Sequence, residues 1–249
     1  MRNDFYIKAS DFSKSYDSGT KKKYACTSIN FNAFPGEISV FLGPNGAGKS
    51  TFLKALAGIH NSSSGIIELN KISDDVFLRE NVGYVSENPN LNLSFTVKEE
   101  LLFNVQIYNS SLKDDFILKA VEVCGLNDVL EKKIKTLSKG FMQRVSLASV
   151  LCRNQSVLIM DEFSAGLDPK AQQKLISFLI EFSKERILIV STHNVSEAER
   201  LCKDKGNIFI MNNGRLLKSG SVLELLSESK KNSLQDAFLF FLDEKDLGE

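Results

Sequence analysis

An excess of charge of either sign is missing from this chain: its 249 residues carry 31 Lys plus Arg against 31 Asp plus Glu. Without an overall basic field, neither nucleic acid nor an acidic bilayer is held by charge alone, so any membrane contact has to be specific. Lys132, Lys133 and Lys135 are too few for a nucleic-acid patch and read as a solvated face. Apolar runs of the ~20 residues that a membrane-crossing helix needs are also absent; the longest are strand length. The stretch Met1-Arg2-Asn3-Asp4-Phe5-Tyr6-Ile7-Lys8 lacks the apolar core of a signal peptide, so a cytoplasmic protein is expected. Cys26, Cys124, Cys152 and Cys202 are scattered without a C-x-x-C pair, which ranks disulfide and zinc readings below buried, reduced thiols. Neither an internal repeat nor a low-complexity linker interrupts the chain.

What is present is ample material for a core. A hydrophobic share of 43% over this length suits one large domain or two intimate subdomains. Phe5 to Ala9, Ile29 to Phe34, Glu37 to Leu42 and Gly65 to Leu69 are short strand candidates bounded by Gly, Pro, Asn and Ser, and predict a mixed, partly antiparallel half. From about residue 90 the period becomes helical. Thr96-Val97-Lys98-Glu99 is a capping box ahead of Leu101, Leu102, Val105 and Tyr108, and Lys113 to Cys124 is a second amphipathic helix that Gly125 ends. Val157 to Met160 and Ile187 to Val190 then read as fully buried parallel strands on either side of a helix over Lys170 to Lys184. The pattern predicts a helical arm inserted into an α/β core.

Phosphate chemistry is written in Gly43-Pro44-Asn45-Gly46-Ala47-Gly48-Lys49-Ser50-Thr51. Glycines at 43, 46 and 48 let successive backbone N–H groups turn inward on one anion. The G-x-x-x-x-G-K-S spacing places Lys49 to reach the outer phosphates and Ser50 to offer its hydroxyl to Mg²⁺. A short apolar strand precedes this loop, and the helix former Thr51 to Ala57 follows with its positive end towards the phosphates.

Asp161-Glu162 directly follows the buried strand Val157 to Met160. Ligands of a parallel sheet sit at the carboxyl ends of its strands, so these acids emerge beside the phosphate loop. There Asp161 is suited to hold Mg²⁺ and Glu162 to orient and polarise the attacking water. Ser191-Thr192-His193 ends the next buried strand on the same rim, where the imidazole can donate to a terminal phosphate. His60 has no such context and reads as surface. Ser138 is a good N-cap for the amphipathic run Phe141 to Cys152, so its hydroxyl and the Gly140 N–H lie at a helix end that favours an anion.

In their order along essentially the whole chain, these motifs resemble the nucleotide-binding domain of ATP-binding cassette (ABC) proteins. The residues that carry the resemblance are the loop 43 to 51, Leu137-Ser138-Lys139-Gly140-Phe141 running into Met142-Gln143-Arg144, Asp161-Glu162, the turn Ser164-Ala165-Gly166-Leu167-Asp168, and His193. The resemblance implies a P-loop NTPase core with an antiparallel β subdomain and an inserted α-helical subdomain. It divides the chain into a domain over 5–237, with its core at about 5–88 and 153–226 and the helical insertion at about 89–152, and a helical tail over 227–249. It further implies an ATPase with ATP and Mg²⁺ as ligands, in which Lys49, Glu162 and His193 are catalytic and Ser50, Asp161 and Glu87 attend the metal. Asp168, Ser138 and Gly140 join the nucleotide contacts, the last two by reaching the γ-phosphate of a second cassette, a copy or a paralogue. Tyr16 matches the aromatic residue that stacks on adenine, although Tyr24 competes for that task.

Two departures from the common motifs stand out. Lys139 and Phe141 replace Gly and Gln, and Glu87, in Tyr84-Val85-Ser86-Glu87, replaces a Gln. With Ser233-Leu234-Gln235-Asp236-Ala237-Phe238, these variants resemble those of ATP-binding subunits that serve export-type transporters. The leading expectation is therefore a subunit on the inner face of the cell membrane that drives a separate integral membrane permease, without nucleic acid. The alternatives are a soluble ABC ATPase acting on ribosomes or DNA, which usually needs two fused cassettes or long coiled coils, and a P-loop kinase or GTPase, against which the segment 137 to 141 argues.

Overall fold

Two sheets of different character organise the chain. The computed structural model describes residues 5–18, 21–108, 114–162, 164, 169–203 and 205–243. Strands β1 (Ile7–Ser18), β2 (Lys21–Ala33) and β4 (Ser64–Leu69) form an antiparallel sheet in the order β2-β1-β4. The larger sheet runs β5 (Val82–Val85), β6 (Val157–Met160), β7 (Ile187–Thr192), β3 (Ile38–Leu42), β8 (Asn207–Asn212), β9 (Arg215–Gly220). Every neighbour pair in it is parallel except β8 with β9. β3, β6 and β7 are buried at each position, as strands covered on both faces must be.

Between the sheets lies helix α1 (Lys49–Leu56), whose Phe52, Leu53 and Leu56 are fully buried. Phe31, Phe41, Phe52 and Phe209 interlock there, with ring centroids 5.1 Å apart for Phe31 and Phe41 and 5.2 Å for Phe41 and Phe52. Phe52 meets Phe31 and Phe41 at steep angles, 87° and 63°, while Phe41 stacks on Phe209 at 20°, and together they anchor α1 against β3. On the other side of the large sheet pack α3 (Val97–Tyr108), α4 (Asp114–Cys124), α5 (Lys139–Leu151), α6 (Pro169–Ser183), α7 (Val195–Cys202) and α9 (Leu234–Asp243). Asp75–Asn81 and Val222–Ser229 are α2 and α8. Among the described residues no helix is long and apolar enough to cross a membrane. The four cysteines are free and buried.

The capping box of α3 forms in both directions: the Glu99 N–H donates to Thr96 Oγ1 at 3.1 Å and the Thr96 N–H to Glu99 Oε2 at 2.6 Å. Gly125, at φ 63°, ends α4 where expected. Other expectations need correction. β1 and β2 are far longer than the short strands Phe5 to Ala9 and Ile29 to Phe34. Their ladder shifts register between Ala9 and Ser15, with Asp11 and Ser28 at positive φ, so bulges break the alternation by which a strand is recognised. Asp17 and Lys23 lie within these strands. α2, α7, α8, β5, β8 and β9 were not anticipated. Side chains cap all three of these helices: the Phe77 N–H donates to Asp74 Oδ1 at 2.7 Å for α2, the Ser196 N–H to Asn194 Oδ1 at 2.9 Å for α7, and the Glu224 N–H to Ser221 Oγ at 3.3 Å for α8.

Candidate functional site

The carboxyl ends of β3, β6 and β7 lie side by side, because β7 is bonded to both of the others. The chain leaves β3 at Leu42, turns through residues 43–48 and enters α1 at Lys49. Two glycines are sterically required. A Cβ on Gly43 would lie 2.2 Å from the Met211 carbonyl oxygen, and one on Gly48, at φ 100°, would lie 2.4 Å from that of Ala25. Backbone on both sides therefore presses the loop into shape. The turn between β8 and β9 adds a clamp, since the Gly214 N–H donates to Ala47 O at 2.9 Å and the Thr27 N–H to Gly214 O at 2.8 Å.

Lys49 is only 5% exposed, and its Nζ donates to the carbonyls of Gly43 at 2.7 Å and Pro44 at 3.1 Å. Glu162 Oε1 stands 3.6 Å from the same nitrogen. Burial pushes the Lys49 pKa below the ordinary lysine value, while Glu162, Asp161 and, more weakly, Glu87 pull it back up. The ammonium is thus stripped of water and already faces three acids.

Asp161 is 3% exposed and its partners are hydroxyls. Oδ1 accepts from Ser50 Oγ at 3.1 Å and from Ser191 Oγ at 2.6 Å, and Oδ2 accepts from Tyr84 Oη at 3.2 Å. Burial, then the charge of Asp161, raises the Tyr84 phenol well above its usual range, so it remains a donor. Glu162 takes a left-handed backbone, φ 52°, which turns its N–H onto Ser191 Oγ at 3.0 Å. Its Oε2 then meets His193 Nδ1 at 2.8 Å, with the imidazole 61% exposed. His193 itself is carried by the end of β7, where Thr192 Oγ1 donates to Glu197 Oε2 at 2.7 Å and holds the start of α7.

A buried carboxylate supported only by neutral donors suits a hard cation, and Ser50 Oγ beside Asp161 Oδ1 is the kind of oxygen pair that holds Mg²⁺. Among the described residues no three His, Cys, Asp or Glu side chains form a self-sufficient metal site.

These groups open onto one cavity of ≈ 780 Å³, walled by Asn45 to Thr51, Glu87, Glu162 and His193 and, towards the small sheet, by Tyr16 and Tyr24. The structure therefore brings together Tyr16, Gly46, Lys49, Ser50, Thr51, Glu87, Asp161, Glu162 and His193. Ser138 and Gly140 lie elsewhere, at the start of α5, where the Ser138 hydroxyl accepts from the Phe141 N–H at 3.4 Å. Asp168, with residues 165–167, lies outside the described residues. His60 is not the plain surface residue expected: its Nδ1 lies 3.0 Å from Tyr16 Oη. The reading by motif missed Ser191 and Tyr84, the two hydroxyls that orient Asp161. A serine closing an apolar strand was a usable signal, whereas Tyr84 carried none. Ser191→Ala should lower turnover about tenfold, since it removes a charge-assisted bond to Asp161 and the acceptor for the Glu162 N–H, and should also lower the melting temperature, because the buried partners lose a hydrogen bond. Steady-state phosphate release at saturating ATP would test it, and undiminished release would deny Ser191 a positioning role.

Comparison with known proteins accords with this geometry. Residues 26–165 match the family described as ABC transporter, and residues 133–199 also match an AAA domain described as putative AbiEii toxin, Type IV TA system. The chain is 32% identical over 240 residues to the energy-coupling factor transporter ATP-binding protein EcfA3 of Clostridium perfringens, covering 91% of this chain and 81% of that one. It is 31% identical over 217 residues to the Nod factor export ATP-binding protein I of Neorhizobium galegae, covering 84% of this chain and 61% of the other. Among solved structures, an ATP-binding subunit of an ABC transporter superposes with a TM-score of 0.84 at 25% identity, over 95% of this chain and 99% of that one. CbiO1 from Clostridium perfringens, part of the ABC transporter complex cbiONQ, superposes with a TM-score of 0.71 at 30% identity, over 96% and 98%. The phosphate loop, the buried acid pair and these relationships agree: the chain belongs to the ABC transporter family, as one of its ATP-binding, ATP-hydrolysing subunits.

Proposed function

We propose that the cavity binds MgATP and that two such cassettes close on two nucleotides to drive a separate integral membrane protein. The carrying observation is the convergence of Lys49, Ser50, Asp161, Glu162 and His193 from three neighbouring chain ends onto one cavity. In this reading, Lys49 leaves the Gly43 and Pro44 carbonyls for the outer phosphates, whose charge is also met by the N–H groups of residues 46–51. Ser50 and Asp161, with Glu87 at the rim, hold Mg²⁺, which would neutralise phosphate charge and fix the oxygens in line. Glu162 orients water towards the terminal phosphorus; as the new P–O bond forms, the bond to the ADP oxygen breaks and Glu162 draws on the water's proton. His193 contacts the terminal phosphate and steadies Glu162. Tyr16 stacks on the base.

Ser138 and Gly140 point to a second subunit, because a helix end suited to an anion stands outside this chain's own cavity. They would meet the γ-phosphate of the partner cassette, together with Asp168. The proposed division is a domain over 5–237, with a core over about 5–88 and 153–226 and a helical insertion over about 89–152, and a helical tail over 227–249. The protein would lie on the inner face of the membrane, bound to its permease.

The expectation of export, drawn from Glu87, Lys139 and Phe141, gains no support from the energy-coupling factor relative, and direction is left to the membrane partner. The test is to tag the chain in its native cells, solubilise membranes gently and identify what copurifies. A stoichiometric integral membrane protein is expected; recovery with soluble machinery alone would move the assignment to the ribosome- or DNA-directed class.

A further inference from the structure

We infer that His60 is a positioning residue for the nucleotide base: it fixes the Tyr16 ring at the cavity mouth, so that binding a nucleoside triphosphate, as opposed to a bare polyphosphate, depends on it. This rests on the proposed stacking role of Tyr16.

The geometry begins at the far end of the phosphate-loop helix. After α1 the chain turns at Gly58, φ 68°, and the N–H groups of Ile59 and His60 both bond to the Lys54 carbonyl, at 2.9 and 3.3 Å. The imidazole is thereby carried on the helix that starts at the phosphate site. Its Nδ1 lies 3.0 Å from Tyr16 Oη, and the two rings meet edge to face at 81° with centroids 6.3 Å apart.

Further contacts tie the same loop to β1. Lys14 Nζ donates to Asn61 O at 2.7 Å and stands 5.4 Å from the centre of the Tyr16 ring. The Ser15 N–H donates to Ser63 Oγ at 3.0 Å, and the Ser63 N–H to Ser13 O at 2.8 Å. Tyr16 is 44% exposed. A half-exposed ring near the end of a hairpin would otherwise sample several rotamers, and ordering it would weaken base binding. With the hydroxyl held by His60 and one face covered by Lys14, the other face is left for a base.

The protonation state agrees. Burial, then Lys54 and Lys14, push the His60 pKa below the ordinary histidine value. A neutral ring with its proton on Nε2 offers Nδ1 as acceptor to the Tyr16 hydroxyl.

The test compares binding of ATP and of inorganic tripolyphosphate by the full chain. Tyr16→Ala should weaken ATP but not tripolyphosphate; if it weakens neither, the stacking reading fails and this inference fails with it. Given that result, His60→Ala should raise Kd and KM for ATP about three- to tenfold, the range of one hydrogen bond, with kcat and tripolyphosphate affinity unchanged. Tyr16→Phe, which keeps the ring and loses only the hydroxyl, should show the same loss, and adding His60→Ala to it should cost nothing more. Unchanged ATP affinity in His60→Ala, an equal loss for both ligands, or additive losses in the double variant would overturn the inference while leaving the stacking role of Tyr16 intact.

Discussion

Glu162→Gln is expected to lower ATP turnover about 10²–10⁴-fold while MgATP still binds. The amide matches the carboxylate in shape and still accepts a hydrogen bond from His193, whose Nδ1 is 2.8 Å away. Its backbone N–H, not its side chain, meets Ser191, so the left-handed turn at φ 52° is unaffected. What disappears is the negative charge proposed to draw on the attacking water's proton. Affinity should not fall, because the lost charge stood 3.6 Å from Lys49 and opposed the phosphates that compete for that cation. Phosphate release and ATP binding measured on one preparation separate the two effects, and undiminished release would remove Glu162 from the role of water-positioning base.

Lys49→Ala should act on the opposite quantity, weakening ATP binding about 10²-fold or more. It removes a buried cation and leaves Asp161, Glu162 and Glu87 facing the phosphates without a counter-charge. The fold should survive, because α1 is anchored by Phe52 among the aromatic rings and not by its first residue. Equilibrium binding of labelled ATP measures the change. Affinity equal to the parent's would refute the phosphate-loop assignment.

Lys49, Ser50, Asp161 and His193 were legible in the sequence because each rides on a local signal: glycine spacing, or a polar residue ending a strand too apolar to be exposed. The signals work because a parallel sheet forces strand ends to a common edge. Tyr84, by contrast, serves Asp161 from 77 residues away, and nothing in its neighbourhood marks a phenol that points across a sheet. The link from His60 to Tyr16 spans 44 residues and exists only because the bulged β1 brings Ser13 to Tyr16 beside the exit of α1. β1 and β2 were underestimated for a related reason: their far ends are rich in Lys and Ser, and backbone pairing with little apolar patterning holds them. β8 carried a readable hint, since Ile208 to Met211 runs into Asn213-Gly214, a hairpin pair that pins the phosphate loop through Ala47. The helical boundaries at Thr96, Gly125 and Ser138 were legible because caps are local chemistry.

The central claim is that one chain supplies the phosphate loop and a second supplies Ser138 and Gly140 to the same nucleotide. The most direct measurement is the mass and nucleotide content of Glu162→Gln incubated with MgATP, by light scattering on a size-exclusion column. The account predicts a species of twice the 27.8 kDa chain mass that retains one ATP per chain and reverts when ATP is removed. A single chain that holds ATP at every protein concentration, while the parent hydrolyses it at a rate per chain independent of that concentration, would contradict it.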